Sequence, residues 1–204
     1  MRRVVGVILA AGTATRLGGR KQLLPLGGRA MLEHVLAAAL QAPLDGRLVV
    51  LGSDADEIRT QVDLTGFQVV VNPRYPEGQS TSVIAAVEAL PDDADAALFL
   101  LGDQPEVPVP VLERIVEAYR RTGAPIVQPR YAEGRGNPVL IARALFPELR
   151  RLRGDTGARP LLERYRDRIA FADAREFSRP ADIDSLADYE RARKRFDQRV
   201  SEAP

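Results

Sequence analysis

The chain has 204 residues, 45% of them hydrophobic, and a net charge of +1 from 29 basic and 28 acidic side chains. That length suffices for one α/β domain with a sizeable core, and the near-neutral balance argues against a dedicated nucleic-acid binder. With no cysteine and a single histidine, His34, disulfides, Fe–S clusters, thiolate zinc and multi-histidine metal sites are excluded, so a bound metal must rest on oxygen ligands, which suits Mg²⁺ or Mn²⁺.

Met1-Arg2-Arg3 leads into the apolar run Val4–Ala10. The run is too short to cross a bilayer and reads as a buried strand, and the protein as cytoplasmic, with no membrane partner. Ala11–Gln22 is a Gly-rich loop. Apolar residues at 31, 32, 35, 36, 39 and 40 predict a helix over Ala30–Leu40. His34 lies within that pattern and reads as structural. Leu48–Leu51 predicts a strand. Asp54–Val62 predicts a helix with Ser53 or Asp54 as N-cap. Phe67–Val71 is a third strand, and Gly78 opens a helix running to about Leu90. Ala96–Leu101 is a fourth buried strand. Pro108 and Pro110 fit the first turn of the next helix. Ile126–Gln128 and Val139–Ile141 flank a Gly-rich excursion. Leu161–Tyr165 predicts a helix, Ile169–Ala172 and Asp182–Asp184 are extended, and a last helix follows from about Ser185, with Ser201–Pro204 frayed.

Strand and helix alternate almost throughout. This is the signature of an α/β fold with a Rossmann-like, doubly wound, mostly parallel sheet, here carrying a small β excursion, and residues 1–200 read as a single domain. In such sheets ligands sit beyond the carboxyl ends of the strands. Three loops fall there: Ala11–Gln22, Asn72–Ser82 and Gly102–Val107.

The first loop combines small residues, which let backbone amides approach a ligand, with Arg16 and Lys21. A triphosphate needs both amide donors and cations. The loop fits neither a Walker A motif nor a G-x-G-x-x-G fingerprint, and an ordinary βα turn remains open. Asp103, at the end of a buried strand, suits Mg²⁺ or, alternatively, a turn cap. Asp182 and Asp184 share one face of an extended segment and could add a metal ligand; Asp184 or Ser185 could equally cap the last helix. Gly78, Ser80 and Ser82 form a hydroxyl-rich helix start whose free amides suit a nucleotide or a plain N-cap. Arg135, Asn137 and Arg159 lie in Gly-rich turns that could shape an acceptor site or be turns alone.

Taken together, LAAGTATRLGGRKQLLPLGG (9–28), NPRYPEGQSTSV (72–83), LGDQP (101–105), RGNPVLI (135–141), RGDTGARPLL (153–162) and DIDSLADYE (182–190) resemble the molybdenum cofactor cytidylyltransferases. These belong to the wider family of molybdopterin-guanine-dinucleotide-synthase-like nucleotidyltransferases. The resemblance implies the nucleotidyltransferase fold, CTP and Mg²⁺ as co-reactants, and the phosphate of a molybdopterin-type cofactor as acceptor. It maps a nucleotide loop onto Leu9, Ala10, Ala11, Gly12, Arg16 and Lys21, and a metal-binding aspartate onto Asp103. The late carboxylates map onto Asp182 and Asp184. Arg16, Lys21 and Asp103 would then carry catalysis. Contact with a molybdoenzyme or its chaperone is compatible with it, as are another NTP or acceptor, such as GTP or a sugar 1-phosphate. An NAD(P)H-dependent reductase of the nicotine-blue-oxidoreductase type stands as the alternative from a different class. The chain departs from the family pattern at Ala14, where Ser is common, at Asn137, where His is frequent, and at Ser185-Leu186, which replaces Thr-Pro.

Overall fold

Strand β1 (Val4–Ala10) lies inside the central sheet, and its unbroken apolar sequence follows from that position. Val4, Ile8 and Ala10 face one hydrophobic layer; Val5 and Val7 face the other. The computed structural model describes residues 1–12 and 20–202.

A 3₁₀ turn at Lys21–Leu23 precedes a short hairpin, β2 (Pro25–Leu26) and β3 (Arg29–Ala30), and helix α1 (Met31–Gln41). Then β4 (Gly46–Leu51), α2 (Ala55–Gln61), β5 (Gln68–Val71), α3 (Gln79–Ala89), β6 (Ala96–Leu101) and α4 (Val109–Thr122) alternate. The second half adds β7 (Ile126–Tyr131), β8 (Gly134–Arg135), β9 (Val139–Ala142), α5 (Phe146–Leu149), α6 (Arg159–Arg164), β10 (Ile169–Asp173) and α7 (Leu186–Glu202). Among the described residues the main sheet runs β10-β7-β9-β6-β1-β4-β5, with β8 paired to β7. β4, β1 and β6 are parallel, as are β5 with β4 and β10 with β7; β9 runs antiparallel to both of its neighbours. This is the doubly wound, mostly parallel sheet expected from the alternation, and β8 is the small excursion.

Alternation along the strands feeds two cores. Leu32 and Val35 of α1, Ile58 of α2 and Leu112 and Ile115 of α4 cover one face. Val83 and Val87 of α3, Phe146 and Leu149 of α5 and Leu161 of α6 cover the other. A third cluster docks α7 on the hairpin through Leu26, Met31, Ile183, Tyr189, Ala192 and Phe196, and the Tyr189 hydroxyl donates to Pro25 O at 2.7 Å. His34 belongs to this junction: its Nε2 lies 2.9 Å from Leu26 O and its ring 4.5 Å from that of Phe196.

Some boundaries shift for local reasons. Helix α6 starts at Arg159, because Pro160 is tolerated in a first turn, and α7 continues to Glu202 where fraying from Ser201 was expected. The Asp54 side chain does not cap α2; it accepts from Ser53 Oγ at 3.1 Å instead. The hairpin is too short for periodicity to reveal.

Gly52 and Gly102 directly follow the two strands that flank β1. A Cβ at Gly102 would lie 2.9 Å from Ala10 Cβ and 3.2 Å from Leu9 O, and one at Gly52 only 2.6 Å from Ala11 O. Both glycines let the neighbouring chains close on the backbone leaving β1. Gly102→Ala is therefore expected to cost about 1–3 kcal/mol, as other overpacked sites do. Urea unfolding should show a lower midpoint with an unchanged slope.

Candidate active site

Loops leaving the carboxyl ends of β1, β5 and β6 line one cavity of about 680 Å³. The segment before α7 and the turn before α6 complete its wall. Doubly wound sheets open such a crevice because their helices pack along both faces and leave the strand ends uncovered.

Lys21 enters this wall through an unusual turn. Arg20 adopts left-handed backbone, with φ 54°, and its guanidinium pairs with Glu57 of α2 at 2.5 Å. A side chain at positive φ is uncommon outside glycine and marks a backbone held by its surroundings. The turn buries Lys21, whose side chain is 8% exposed. Its Nζ donates to Asp103 Oδ2 at 2.9 Å and to Asp184 Oδ1 at 2.7 Å. Burial works against the ammonium charge, but Asp103 and Asp184 outweigh it and hold Lys21 above its usual range.

Asp103 follows β6 at the floor of the cavity. Its second oxygen, Oδ1, is buried with no hydrogen-bond partner. Burial pushes this carboxyl above the usual carboxylate range; Lys21 opposes the rise, while Asp182 and Asp184 add to it.

The segment Asp182-Ile183-Asp184 is clamped beside it. The Ile183 N–H donates to Asp103 O at 3.1 Å, and the Ile183 side chain is buried in the α7 cluster. Period-two geometry then turns both flanking carboxylates to the cavity, which they line. Asp182 accepts from Gln104 Nε2 at 2.8 Å, and Asp184 takes Lys21. Capping falls to Ser185: its Oγ accepts the Asp188 N–H at 3.2 Å, and the Asp188 carboxylate accepts the Ser185 N–H at 2.9 Å. The capping role thus falls to Ser185 and not to the Asp184 side chain.

The start of α3 differs from expectation. Gly78 has φ 111°, and a Cβ there would meet the Gly154 carbonyl carbon at 2.7 Å. Two amides expected to be free are already bonded, Gln79 N–H to Asp155 Oδ1 at 3.1 Å and Ser80 N–H to Gly154 O at 3.1 Å. Gly78 and Ser82 line the cavity; Ser80 is buried away from it. Leu9, Ala11 and Gly12 also line the wall, whereas Ala10 packs behind it. Tight strand-end packing explains Ala10, and docking of α3 against the 154–155 turn explains Ser80. Arg16 lies outside the described residues.

Asn72 was not singled out from sequence. Its buried Nδ2 donates to Thr81 Oγ1 at 2.9 Å and Ser82 Oγ at 3.0 Å, fixing two of the three hydroxyls of the α3 first turn. An asparagine directly after β5, at the carboxyl edge of the sheet, is the signal that could have found it.

Arg135, Asn137 and Arg159 line a second cavity of about 660 Å³. It shares Asn137, Arg159 and Leu162 with the first. The Tyr131 hydroxyl holds this corner by donating to Asn137 O at 2.8 Å. Gln128 and Arg166 join the wall too; neither carries a sequence signal, one lying inside a strand and the other among many arginines.

The chain belongs to the family of MobA-like NTP transferase domains, whose family model matches residues 6–169. Nicotine blue oxidoreductase from Paenarthrobacter nicotinovorans is 30% identical over 90% of this chain and 93% of its own. The crystal structure of Rv0371c from Mycobacterium tuberculosis H37Rv is 34% identical and covers 94% of this chain and 98% of its own, with a TM-score of 0.85. A manganese complex of Rv0371c is similar, at 32% identity over 94% of this chain and 98% of its own, with a TM-score of 0.81. No helix among the described residues is long and apolar enough to cross a membrane.

The lysine pairing has a pH signature. Lys21 is held above its unfolded value, near 10.4 for a free lysine, so its ion pairs stabilise the fold fully below that pH. The contribution is lost as pH rises through the folded value. The stability gap between the wild-type chain and Lys21→Met should therefore be widest near neutral pH and narrow above about pH 10. Urea unfolding of both proteins at pH 8 and pH 11 measures it.

Proposed function

We propose that this protein transfers CMP from CTP to the phosphate of a molybdopterin-type acceptor and releases pyrophosphate. The observation that carries the reading is the meeting of Lys21, Asp103 and Asp184 in one cavity beyond the strand ends. Such a cleft suits a triphosphate, with a cation for its charge and carboxylates for a metal. The choice of cytidine leans on Leu-Ala-Ala-Gly at 9–12 and Asp103-Gln104-Pro105, and the acceptor on the resemblance of the later motifs.

A divalent metal fits the residues present. Asp103 carries a buried, unpartnered carboxylate oxygen, and Asp182 and Asp184 face the same cavity. Asp103, with Asp182 or Asp184, would hold Mg²⁺ or Mn²⁺. The ion supplies charge stabilisation to phosphate oxygens. The manganese complex of Rv0371c supports a divalent ion in this family.

In the reaction an oxygen of the acceptor phosphate bonds to the α-phosphorus of CTP, and the bond from that phosphorus to the oxygen bridging the α- and β-phosphates breaks, the oxygen leaving with pyrophosphate. Lys21, joined by Arg16, offsets the charge gathering on the leaving group. Leu9, Ala11, Gly12, Gly78 and Ser82 form the nucleotide wall. Arg135, Asn137 and Arg159 orient the acceptor. No general base is needed, because a phosphate monoester with a second pKa of about 6 is largely dianionic at neutral pH. His34 agrees with this: it is engaged at the α7 junction, not in the cavity wall. A cytoplasmic location goes with the same reading.

Nicotine blue oxidoreductase favours a second reading, reduction by NAD(P)H, through its 30% identity over most of this chain. Pyrophosphate release, assayed with each of the four NTPs and reconstituted molybdenum cofactor in Mg²⁺, separates the two. Release with CTP is expected; consumption of NAD(P)H without any pyrophosphate would favour the reductase. Asp103→Ala should abolish turnover while the circular dichroism stays native. Lys21→Ala should cost roughly 2–4 kcal/mol of transition-state stabilisation, or about 30- to 1,000-fold in kcat.

A further inference from the structure

Lys21 and a divalent metal need the same carboxylate oxygens. The ammonium already holds Asp103 Oδ2 at 2.9 Å and Asp184 Oδ1 at 2.7 Å, and its side chain is 8% exposed. A magnesium-sized ion approaches its oxygen ligands to about 2.0–2.1 Å. Seated on either oxygen, it would face the ammonium within a few ångströms, with the weaker screening on the Asp103 side, where the side chain is 28% exposed against 58% for Asp184. Lys21 also stands between two of the three carboxylates, and among the described residues no three such groups gather around a common point. The carboxylates are arranged around the lysine rather than around an ion.

We propose that Lys21 is the resident counter-ion of the metal site and must leave it before a divalent ion binds tightly. The polyphosphate of the nucleotide, lining up in the same cavity, supplies its alternative partner. Nucleotide binding draws the ammonium off Asp103 and Asp184, and those oxygens become available to the metal. The site thereby takes a metal well only together with a nucleotide. This extends the metal and nucleotide assignments under Proposed function and rests on them. By linkage, nucleotide and metal strengthen each other's binding by the same factor.

The test uses Mn²⁺ alone, without nucleotide, titrated by electron paramagnetic resonance into the full-length wild-type chain, Lys21→Met, Lys21→Arg and Asp103→Asn. Lys21→Met should bind Mn²⁺ about tenfold more tightly or better than wild type. Lys21→Arg should stay weak, and Asp103→Asn should lose the site. Equal or weaker binding by Lys21→Met would overturn the proposal and leave the metal assignment standing. If neither wild type nor Lys21→Met binds Mn²⁺, even with a CTP analogue that cannot be cleaved, the metal assignment itself fails and the proposal with it.

A second measurement needs no variant. Lys21 and Lys194 are the only lysines in the chain, so lysine labelled with ¹⁵N at Nζ yields one signal from the site and one remote control. Titration with Mg²⁺ and the uncleavable analogue should move the Lys21 signal and leave Lys194 in place. Metal binding that leaves the Lys21 signal unmoved would refute the displacement.

Discussion

A buried ammonium held by two carboxylates organises one end of this molecule. Lys21, Asp103 and Asp184 come from three distant parts of the chain, and the first two lie in a poorly solvated wall while Asp184, 58% exposed, reaches in from its rim. A lone carboxylate there would lack a counter-charge, and a lone lysine would meet a large desolvation cost. Together they offset one another. Much of the local architecture serves that meeting: the left-handed backbone at Arg20 turns Lys21 inward, Gly102 lets the end of β6 close on β1, and the Ile183 amide ties the last carboxylates to Asp103.

The same arrangement explains why α7 matters to chemistry that happens elsewhere. Helix α7 packs not on the main sheet but on the β2–β3 hairpin and α1, through Leu26, Met31, Tyr189 and Phe196. Ile183 belongs to that cluster, so docking of the helix sets where Asp182 and Asp184 fall. The Ser185–Asp188 capping box fixes where α7 begins and keeps Asp184 free of a capping duty. Packing at one edge thus positions charge at the cavity.

The partition between the two cavities follows the sheet. Parallel strands β5, β1 and β6 send their carboxyl ends toward the larger one, while antiparallel β9 begins at the corner around Asn137 and Val139. One cavity carries carboxylates and a lysine, the other carries Arg135 and Arg166, and Arg159 lines both. A donor needing a metal and an anionic acceptor would find complementary surroundings side by side.

Much of this was legible in the residues themselves. Strand and helix periodicity, the Gly-rich turn after β1, the aspartate after β6 and the spacing of Asp182 and Asp184 all follow from local rules, because side-chain direction repeats with backbone geometry. What local rules do not contain is contact between distant segments. That Lys21 would choose Asp184 over solvent, that Gly154 and Asp155 would occupy the amides of α3, that Ser80 would turn inward while Ser82 faced the cavity, and that Asn72 would hold their neighbouring hydroxyls were decided only when the layers packed. Sequence determined the longer elements and the residue types at their ends; tertiary structure determined the short β2–β3 hairpin and the partners, since buried polar groups must be satisfied by whatever the fold brings within reach.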